Sequence, residues 1–427
     1  MPFRLAVLAA GALALAAIPC LATPQRPFLT LAEAQARVAA DHPDLQRFLP
    51  QQDALAAEAR AADLAPPLTV RAELADFLGS GRLQAGRSAE LTLSLEGLLE
   101  RGGKREARRA LAAARLDALG PRRAAAQLDL FAETTRRYLE LAALQARQPL
   151  MAADLEERRR IARAARQRFL AGAAPEASAL AAEAEVARIE AELAASAQRQ
   201  RAAWHRLSLL WGGNTTDGAM PVLEAVPATR PTLPSLESLR AEIGRHPSLL
   251  AFADEARVQD ARYRLAASSA RADLAWSLGL RHLRAEGDTG LVATLSLPLG
   301  SPRRAEPAIA EARALQAELV LARESAARAL EAAATEAWWQ VEAQGLRAER
   351  LEGAVLPRLE RAAAGAERAY RAGALGYLEW AALQSEVTAA RLALLEARVA
   401  LQLALIELQR LTAESWVVPA MPHGEHE

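Results

Sequence analysis

Residues 42–45 read His-Pro-Asp-Leu, and residues 246–249, which lie 204 positions later, read His-Pro-Ser-Leu. Residues 169–173 read Phe-Leu-Ala-Gly-Ala and recur at 370–374 as Tyr-Arg-Ala-Gly-Ala, 201 positions later. A period near 200 residues is far longer than a solenoid unit, which spans roughly 20–50 residues. The sequence therefore predicts a half-molecule that is present twice in the chain.

Each half contains one pair of short segments in which apolar and polar residues alternate. The clearest segments carry leucine at every second position, at 91, 93 and 95 and again at 295, 297 and 299. This alternation predicts strand hairpins over residues 67–99 and 272–299. Each strand is about 10 residues long, which suits a tilted membrane-spanning strand of roughly 9–11 residues.

Long helix-forming stretches follow both strand pairs. We predict a helix from 104 to 170 with a returning helix from 176 to 211, and a second pair over 303–371 and up to 411. The longest of these would approach roughly 100 Å at 1.5 Å per residue. The predicted fold is therefore mainly α with a small β part, built from a duplicated half with long antiparallel helices.

The N-terminus has the pattern of a secretory signal peptide over residues 1–22, with Arg4 before an apolar run and small residues at its end. Cys20 is the only cysteine of the chain, and it is either lipidated or removed with the signal. The other predicted segments are a first repeat at 23–212, a linker at 213–234, a second repeat at 235–412 and a flexible tail at 413–427.

Composition and motifs exclude several function classes. The formal net charge is zero, so there is no electrostatic case for binding nucleic acid. The sequence contains no phosphate-binding Gly-Lys-Ser loop, no His-Glu-x-x-His pair and no nucleophile elbow. We therefore predict that the protein is not an enzyme and uses no cofactor.

Four strands per chain cannot close a barrel, and open strand edges are not tolerated in lipid. Three copies would supply twelve strands, an even number within the range of known transmembrane barrels. We therefore expect a homotrimer in which a 12-stranded outer-membrane β-barrel, in contact with lipid, sits on a trimeric α-helical tunnel.

The sequence resembles the TolC-like outer-membrane efflux family over essentially the whole mature chain. The resemblance rests on the duplication, on the Gly turns after Phe169 and Tyr370, and on the strand-to-helix junctions. The junction at 102–105, Gly-Gly-Lys-Arg, is similar to that of the heavy-metal-cation (CzcC-type) branch. Its counterpart in the second half is 295–300.

The resemblance implies a location in the outer membrane of a Gram-negative bacterium, with a tunnel extending into the periplasm. It implies a passive exit duct that works with a periplasmic adaptor (membrane fusion protein) and an inner-membrane pump of the proton-driven type. The junction favours heavy-metal cations as the exported cargo.

Candidate site residues lie at the two helical turns. Gly172, Ala173, Gly373 and Ala374 would form the periplasmic tip, which the resemblance implies is the adaptor-docking surface. Glu379 occupies a position where the family often carries an acidic residue facing the closed entrance, although a second acidic position of that pattern is Ala382 here.

Three copies of Glu379 around a threefold axis would attract cations. Arg368 and Arg371 could pair with Glu379 between chains as part of the gate, although a single exposed pair is worth only about 1 kcal/mol or less. The alternative for Glu379 is an ordinary solvated glutamate on a helix.

The histidines divide into two groups. His42 and His246 recur before proline in both halves, which favours a structural role at a helix break over a ligand role. His423 and His426, in the C-terminal tail, form at most a weak divalent-cation site because two histidines do not complete a coordination shell.

Two other function classes remain open from the sequence. A periplasmic adaptor would carry a single helical hairpin between two halves of a β-rich domain, and a coiled-coil scaffold protein of an export complex would lack the strand pairs. Two hairpins and two matched strand pairs favour the outer-membrane channel.

Overall fold

The computed structural model describes residues 27–213 and 220–413, which are mainly helical with a small sheet part, as predicted. The first repeat contains, in order, β1 (Phe28–Leu29), α1 (Leu31–Asp41), α2 (Pro43–Gln46), α3 (Phe48–Ala62), β2 (Thr69–Ala75), β3 (Glu90–Leu99), α4 (Lys104–Asp117), α5 (Leu119–Leu170) and α6 (Glu176–Ser208). Short 3-10 turns lie at Gly81–Gly86 and Leu209–Trp211.

The second repeat has the same plan. It contains β4 (Val222–Leu223), α7 (Leu236–Ile243), α8 (Pro247–Ser268), β5 (Leu274–Leu283), β6 (Asp288–Ser296), α9 (Ser301–Arg350), a π-helical turn (Leu351–Val355), α10 (Leu356–Arg371) and α11 (Tyr377–Thr412). In the described part of the chain, no helix combines the length and apolar character needed to cross a membrane.

Local sequence signals explain where the short helices begin. The hydroxyl of Thr30 accepts from the N–H of Glu33 at 3.1 Å, and the carboxylate of Glu33 accepts from the N–H of Thr30 at 3.0 Å, which forms a capping box at α1. His42 and His246 cap α2 and α8 through Nδ1, which accepts from the N–H of Asp44 and of Ser248. The predicted structural role of both histidines is confirmed.

Both of the long stretches that we predicted as helix, 104–170 and 303–371, are interrupted close to a proline. The first long helix breaks at Ala118, just before Gly120 and Pro121. This break separates α4 from α5. Pro149 lies inside α5 without ending it. In the second repeat the π-helical turn immediately precedes Pro357, because proline cannot supply the N–H of a regular helical bond.

The four long strands form one antiparallel sheet in the order β2-β3-β5-β6. The central pair joins the two repeats, with Leu93 opposite Leu280 and Leu95 opposite Leu278. Because side chains alternate between the two faces of a sheet, the register gathers apolar and polar residues separately. The apolar face carries Val70, Leu93, Leu95, Leu278, Leu280 and Leu291, all of them exposed in the single chain.

The opposite face of this sheet is polar and internally paired. Arg71 forms an ion pair with Glu96 at 2.5 Å across β2 and β3. Arg281 on β5 donates to the hydroxyl of Thr92 at 3.2 Å and lies 3.5 Å from Glu90. One face of the sheet therefore suits lipid, and the other suits water.

The predicted C-terminal end of the last strand is wrong. We predicted that the leucine alternation continues through Leu297 and Leu299, but β6 ends at Ser296. Pro298 has no N–H to donate to a ladder, and Gly300 adopts a left-handed backbone with φ +82° that starts α9. The leucine triplets that match in sequence therefore do not occupy matching places in the sheet.

The predicted linker makes specific contacts over its described residues. Strand β4 pairs in parallel with β1, an element that the sequence did not reveal because it is only two residues long. The hydroxyl of Tyr138 on α5 donates to the carbonyl of Leu29 at 2.8 Å and accepts from the N–H of Glu224 at 3.0 Å. Burial raises the pKa of Tyr138 to about 12.

Each repeat has its own apolar core beside this region. The first core surrounds Leu141 and Leu207, where α5 meets α6 and α1. The second surrounds Val341, Leu401 and Leu408, where α9 meets α11 and α7. Ala203, Leu207 and Leu210 of α6 belong to the first core, and their counterparts 201 residues later on α11, Ala404, Leu408 and Leu411, belong to or pack against the second. The two returning helices therefore pack in the same phase.

The two histidine caps offer a matched test of the repeat. His246 is buried, and its Nε2 also contacts the carbonyl of Arg410 at 2.9 Å, whereas the contacts of His42 are local, with the N–H and, at 4.0 Å, the carboxylate of Asp44. We expect His246→Ala to lower the free energy of unfolding by roughly 2–4 kcal/mol, since it removes a cap and a partly buried contact with the carbonyl of Arg410. His42→Ala should cost only about 1 kcal/mol.

Denaturation midpoints of the detergent-solubilised protein measure both effects. Equal shifts for the two variants would show that the contact between His246 and Arg410 contributes nothing.

Candidate functional site

The two predicted tip turns have the same hydrogen-bonded geometry. After α5, the N–H groups of Gly172 and Ala173 donate to the carbonyls of Phe169 and Arg168 at 2.9 and 2.8 Å. This is a Schellman motif, which requires a left-handed residue after the helix, and Gly172 supplies it at φ +70°.

The second turn repeats this arrangement 201 residues later. The N–H groups of Gly373 and Ala374 donate to the carbonyls of Tyr370 and Ala369 at 3.0 and 2.9 Å, with Gly373 at φ +78°. The structure therefore gives the four predicted tip residues a defined role as helix terminators.

Glu379 has a local partner. Its carboxylate accepts from the N–H of Gly376 at 3.1 Å, the return bond of a capping box at the start of α11, and its side chain is exposed. The equivalent position in the first repeat does not need this bond, because α6 begins after Pro175, which has no N–H. A structural role for Glu379 is thus present in the single chain, independent of any role in a pore.

The chain does not bring the three predicted gate residues together. Arg371 pairs with Glu367 one turn earlier on α10, and the Nε of Arg368 donates to the carbonyl of Ala364 at 3.3 Å. Glu379 bonds to Gly376. Contacts among these three side chains would have to form between copies, so the gate remains a prediction.

An aromatic cluster at the tip was missed by the sequence reasoning. Tyr370 and Trp380 are buried and stacked, with ring centroids 4.6 Å apart. Arg168 and Arg160, both on α5, lie over the outer faces of these rings, at 4.6 Å from Tyr370 and 5.6 Å from Trp380. The sequence signal for this cluster was the aromatic residue that precedes the turn in both repeats, Phe169 and Tyr370.

The same arginine extends the cluster into an ion-pair network. Arg160 forms ion pairs with Glu157 on α5 and with Glu367 on α10. The hydrogen bond from Arg160 holds the pKa of Glu367 below its ordinary value. These contacts attach α5 to the second helical hairpin.

Buried polar groups continue this attachment away from the tip. Asp154 accepts from the hydroxyl of Thr388 at 2.8 Å and lies 3.3 Å from Arg158. Arg158 in turn donates to the hydroxyl of Ser385 at 2.9 Å. Since α5 belongs to the first repeat and α11 to the second, this network joins the two repeats within one chain.

The Gly-Gly-Lys-Arg junction acts at the other end of the helices. Gly102 and Gly103 have φ +82° and +74°, and they reverse the chain from β3 into α4. Lys104, the only lysine of the chain, pairs at 2.7 Å with Asp273, which immediately precedes β5. The junction therefore positions the two strand pairs relative to each other.

Metal ligands are not clustered in the described part of the chain. Over residues 27–213 and 220–413, no group of three or more His, Cys, Asp or Glu side chains could hold a metal ion. His423, His426, Cys20, the predicted signal peptide and the predicted tail lie outside the described residues, apart from Ala413.

Part of the chain matches a known protein family. The family described as "Outer membrane efflux protein" matches residues 34–213. That family consists of transport channels and not of enzymes, and the match agrees with the predicted resemblance at the level of the efflux family. The sequence has no significant match among curated proteins.

Solved structures share the fold of nearly the whole chain. A membrane protein from Pseudomonas aeruginosa is 21% identical with a TM-score of 0.73, over 90% of this chain and 93% of that one. CusC is 16% identical with a TM-score of 0.75, over 92% and 97%. The outer membrane protein VceC from Vibrio cholerae is 20% identical with a TM-score of 0.73, over 91% and 97%.

Glu379 can be tested with a pair of variants that separates its two roles. Glu379→Gln removes the charge but keeps an oxygen that can accept from Gly376, whereas Glu379→Ala removes both. If Glu379 lines the entrance, both variants should lower cation preference in planar-bilayer recordings. An unaltered reversal potential for both would leave Glu379 with its capping role alone.

The tip turns can be tested with a double proline variant. Gly373→Pro with Ala374→Pro removes both N–H donors of the second Schellman motif and forbids the left-handed backbone. We expect export to be lost while the protein still reaches the outer membrane as a trimer, which gel mobility before and after heating would show. Unchanged export would show that the tip turns are not part of the docking surface.

Proposed function

We propose that this protein is the outer-membrane channel of a tripartite efflux system, a passive duct through which cargo leaves a Gram-negative cell. The observation that supports the proposal most is the four-stranded sheet, which has one exposed apolar face, one polar face and two unpaired edges. A sheet with this pattern is suited to lipid on one side and to water on the other.

Assembly follows from the edges of the sheet. Strands β2 and β6 each leave one row of backbone N–H and C=O groups without a strand partner among the described residues. Such groups cost several kcal/mol each in lipid. The strands alternate in direction, so β6 of one copy is antiparallel to β2 of the next, and three copies give a closed barrel of twelve strands.

The helices then form the tunnel below the barrel. Each strand pair connects to helices at the same end of the sheet, and the longest helix, α5, spans about 78 Å at 1.5 Å per residue. The two helical turns lie at the far end, where we propose that a periplasmic adaptor docks. Energy for transport comes from an inner-membrane pump of the proton-driven type.

The architecture favours a channel over the adaptor alternative. An adaptor would carry one helical hairpin, but this chain has two, α5–α6 and α10–α11. A coiled-coil scaffold would not need a sheet in which strands of both repeats pair, as β3 and β5 do here.

The proposal extends to the chemical class of the exported cargo. The resemblance of the Gly-Gly-Lys-Arg junction supports heavy-metal cations, although in this chain the junction residues make structural contacts at the base of the sheet. We expect deletion of the gene to sensitise cells to zinc, cadmium or cobalt at least fourfold more than to dyes or detergents. Equal sensitisation to all of these compounds would contradict a preference for heavy-metal cations.

The lipid-facing assignment of the sheet has a matched test on adjacent residues of β5. Leu278 lies on the apolar face, and Ser277 lies on the polar face opposite Glu96. Leu278→Arg should abolish the heat-modifiable trimer, because an arginine facing lipid costs about 2–4 kcal/mol near the bilayer midplane, and each trimer carries three. Ser277→Arg should assemble normally because Glu96 is its neighbour. Loss of assembly in both variants, or in neither, would contradict the assignment.

A further inference from the structure

Two short segments outside the long helices also recur between the repeats. Residues 219–224, the linker segment, read Ala-Met-Pro-Val-Leu-Glu, and residues 420–425, which we call the C-terminal segment, read Ala-Met-Pro-His-Gly-Glu, 201 positions later. Residues 26–29 read Arg-Pro-Phe-Leu, and residues 230–233 read Arg-Pro-Thr-Leu, 204 positions later. These offsets equal those of the glycine turns and of the histidine caps, so each segment was duplicated together with its half of the chain.

In the first repeat, the two segments bind each other. Strand β4 of the linker segment pairs in parallel with β1, and the N–H of Val222 donates to the carbonyl of Pro27 at 2.9 Å. The buried side chains of Leu29 and Leu223 belong to the first core, and Met220 packs against it. The chain that follows α6 therefore covers one side of the first core.

In the second repeat, the receiving side of this pair is present. We call residues 231–233 the acceptor segment, and its Leu233 packs against the second core. No N–H or C=O group of the acceptor segment makes a backbone–backbone hydrogen bond within 27–213 and 220–413, and Thr232 is exposed. Because backbone polar groups beside a core are normally paired, the acceptor segment is suited to receive a strand.

The helices behind the two sites correspond as well. Tyr138 on α5 and Trp338 on α9 lie 200 positions apart, and the offset changes to 201 beyond the π-helical turn Leu351–Val355, which takes up one additional residue. The hydroxyl of Tyr138 donates to the carbonyl of Leu29, and the Nε1 of Trp338 donates to the carbonyl of Pro234 at 3.1 Å. Each aromatic residue thus holds the segment that precedes the first helix of its repeat.

The C-terminal segment differs from the linker segment at two adjacent positions, where His423 and Gly424 replace Val222 and Leu223. Val222 is 43% exposed in the first repeat, so a polar side chain fits at the equivalent position. Leu223 is buried in the first core. Gly424 is much smaller, but the second core has Trp338 where the first has a tyrosine, and the larger ring offsets the missing volume.

One buried polar atom near the acceptor segment lacks a partner. The Oε1 of Gln344 on α9 is buried and has no hydrogen-bond partner in the part of the chain that the structure describes. Gln344 precedes Gly345, on which the side chain of Arg230 lies. In the first repeat, the equivalent of Gly345 is Gln145, whose Oε1 accepts from the N–H of Leu223 at 3.1 Å. A backbone N–H of an incoming strand would satisfy Gln344 in a similar way.

The chain after α11 can reach this site within one copy. It turns at Ala413, which has a left-handed backbone with φ +59°, and the chain after α6 turns at the equivalent Gly212 with φ +70°. Ten positions separate Gly212 from Val222, and ten separate Ala413 from His423. Ten extended residues span at most roughly 33–36 Å. Since this length is sufficient in the first repeat, it is sufficient in the second.

We propose that the acceptor segment is the docking site of the C-terminal segment of the same chain, which binds it as the linker segment binds β1. His423 pairs with Thr232 and donates its N–H to the carbonyl of Pro231, while Met421 packs against the second core. His423 then serves as a strand residue and not as a metal ligand. The docking occurs within one chain, so it does not depend on the proposed transport function.

Cysteine pairs test the docking in the full-length protein with Cys20→Ser. Thr232→Cys with His423→Cys places a cysteine on each side of the proposed pair, and Phe28→Cys with Val222→Cys does so at the observed pair of the first repeat. After mild oxidation of the detergent-solubilised protein, we expect a disulfide within one chain in both variants, identified by mass spectrometry of the monomer band.

Three outcomes of this experiment are informative. Thr232→Cys with Val418→Cys, five positions out of register, should stay reduced because a disulfide needs Cα atoms within roughly 7 Å. Equal linking in this variant would overturn the proposed register. Linking of the first-repeat pair alone, or a disulfide of the second pair between two chains, would overturn docking within one chain.

Hydrogen exchange gives a second measurement that needs no cysteine. Removal of 420–427 should make the backbone amides of residues 232 and 233 exchange roughly tenfold faster, because their pairing is lost, and should leave residues 28 and 29 unchanged. Met421→Ser should speed exchange at the same two amides, whereas Met421→Leu, which keeps an apolar side chain, should not. Unchanged exchange at residues 232 and 233 in the truncated protein would show that the C-terminal segment does not dock there.

Discussion

The open edges of the four-stranded sheet are the constraint on which the rest of the structure depends. In the proposed channel the sheet lies in lipid, where two rows of unpaired backbone groups are not tolerated, so its edges pair with those of other copies. Its strands run into α3, α4, α8 and α9 through short junctions, and the ion pair of Lys104 with Asp273 keeps two of these junctions together. In the proposed trimer, joining the sheet edges arranges the helices of the three copies in a ring.

At the far end, a different kind of interaction holds the helices. The stacked rings of Tyr370 and Trp380, flanked by Arg160 and Arg168, attach α5 of the first repeat to the hairpin of the second. Aromatic stacking and cation–π contacts each contribute roughly 0.5–2 kcal/mol. Within the described residues of one copy, the ion pairs and ring contacts between the two hairpins all involve α5. The duplicated halves have thus become unequal at the tip, where a partner would approach.

Much of the fold was predictable because its signals are local. The capping box at Thr30, the histidine caps and the glycine turns depend on residues within five positions of each other, and the structure contains all of them. The pairing of β3 with β5 was not predictable in this way, since it joins residues about 190 positions apart. The same limit applies to Glu379, for which the sequence suggested a pore position and the structure shows a cap on Gly376.

Covalent trapping of the joined edges tests the central claim most directly. In a Cys20→Ser background, Ala72→Cys on β2 is combined in turn with a cysteine at Thr289, Leu291 or Ala293 on β6, positions that share the apolar face. We predict that at least one combination yields disulfide-linked dimers and trimers on non-reducing gels, with no larger species, because a ring of three copies has no free edge. Monomers from every combination, or a ladder that extends beyond the trimer, would contradict a closed barrel of three copies.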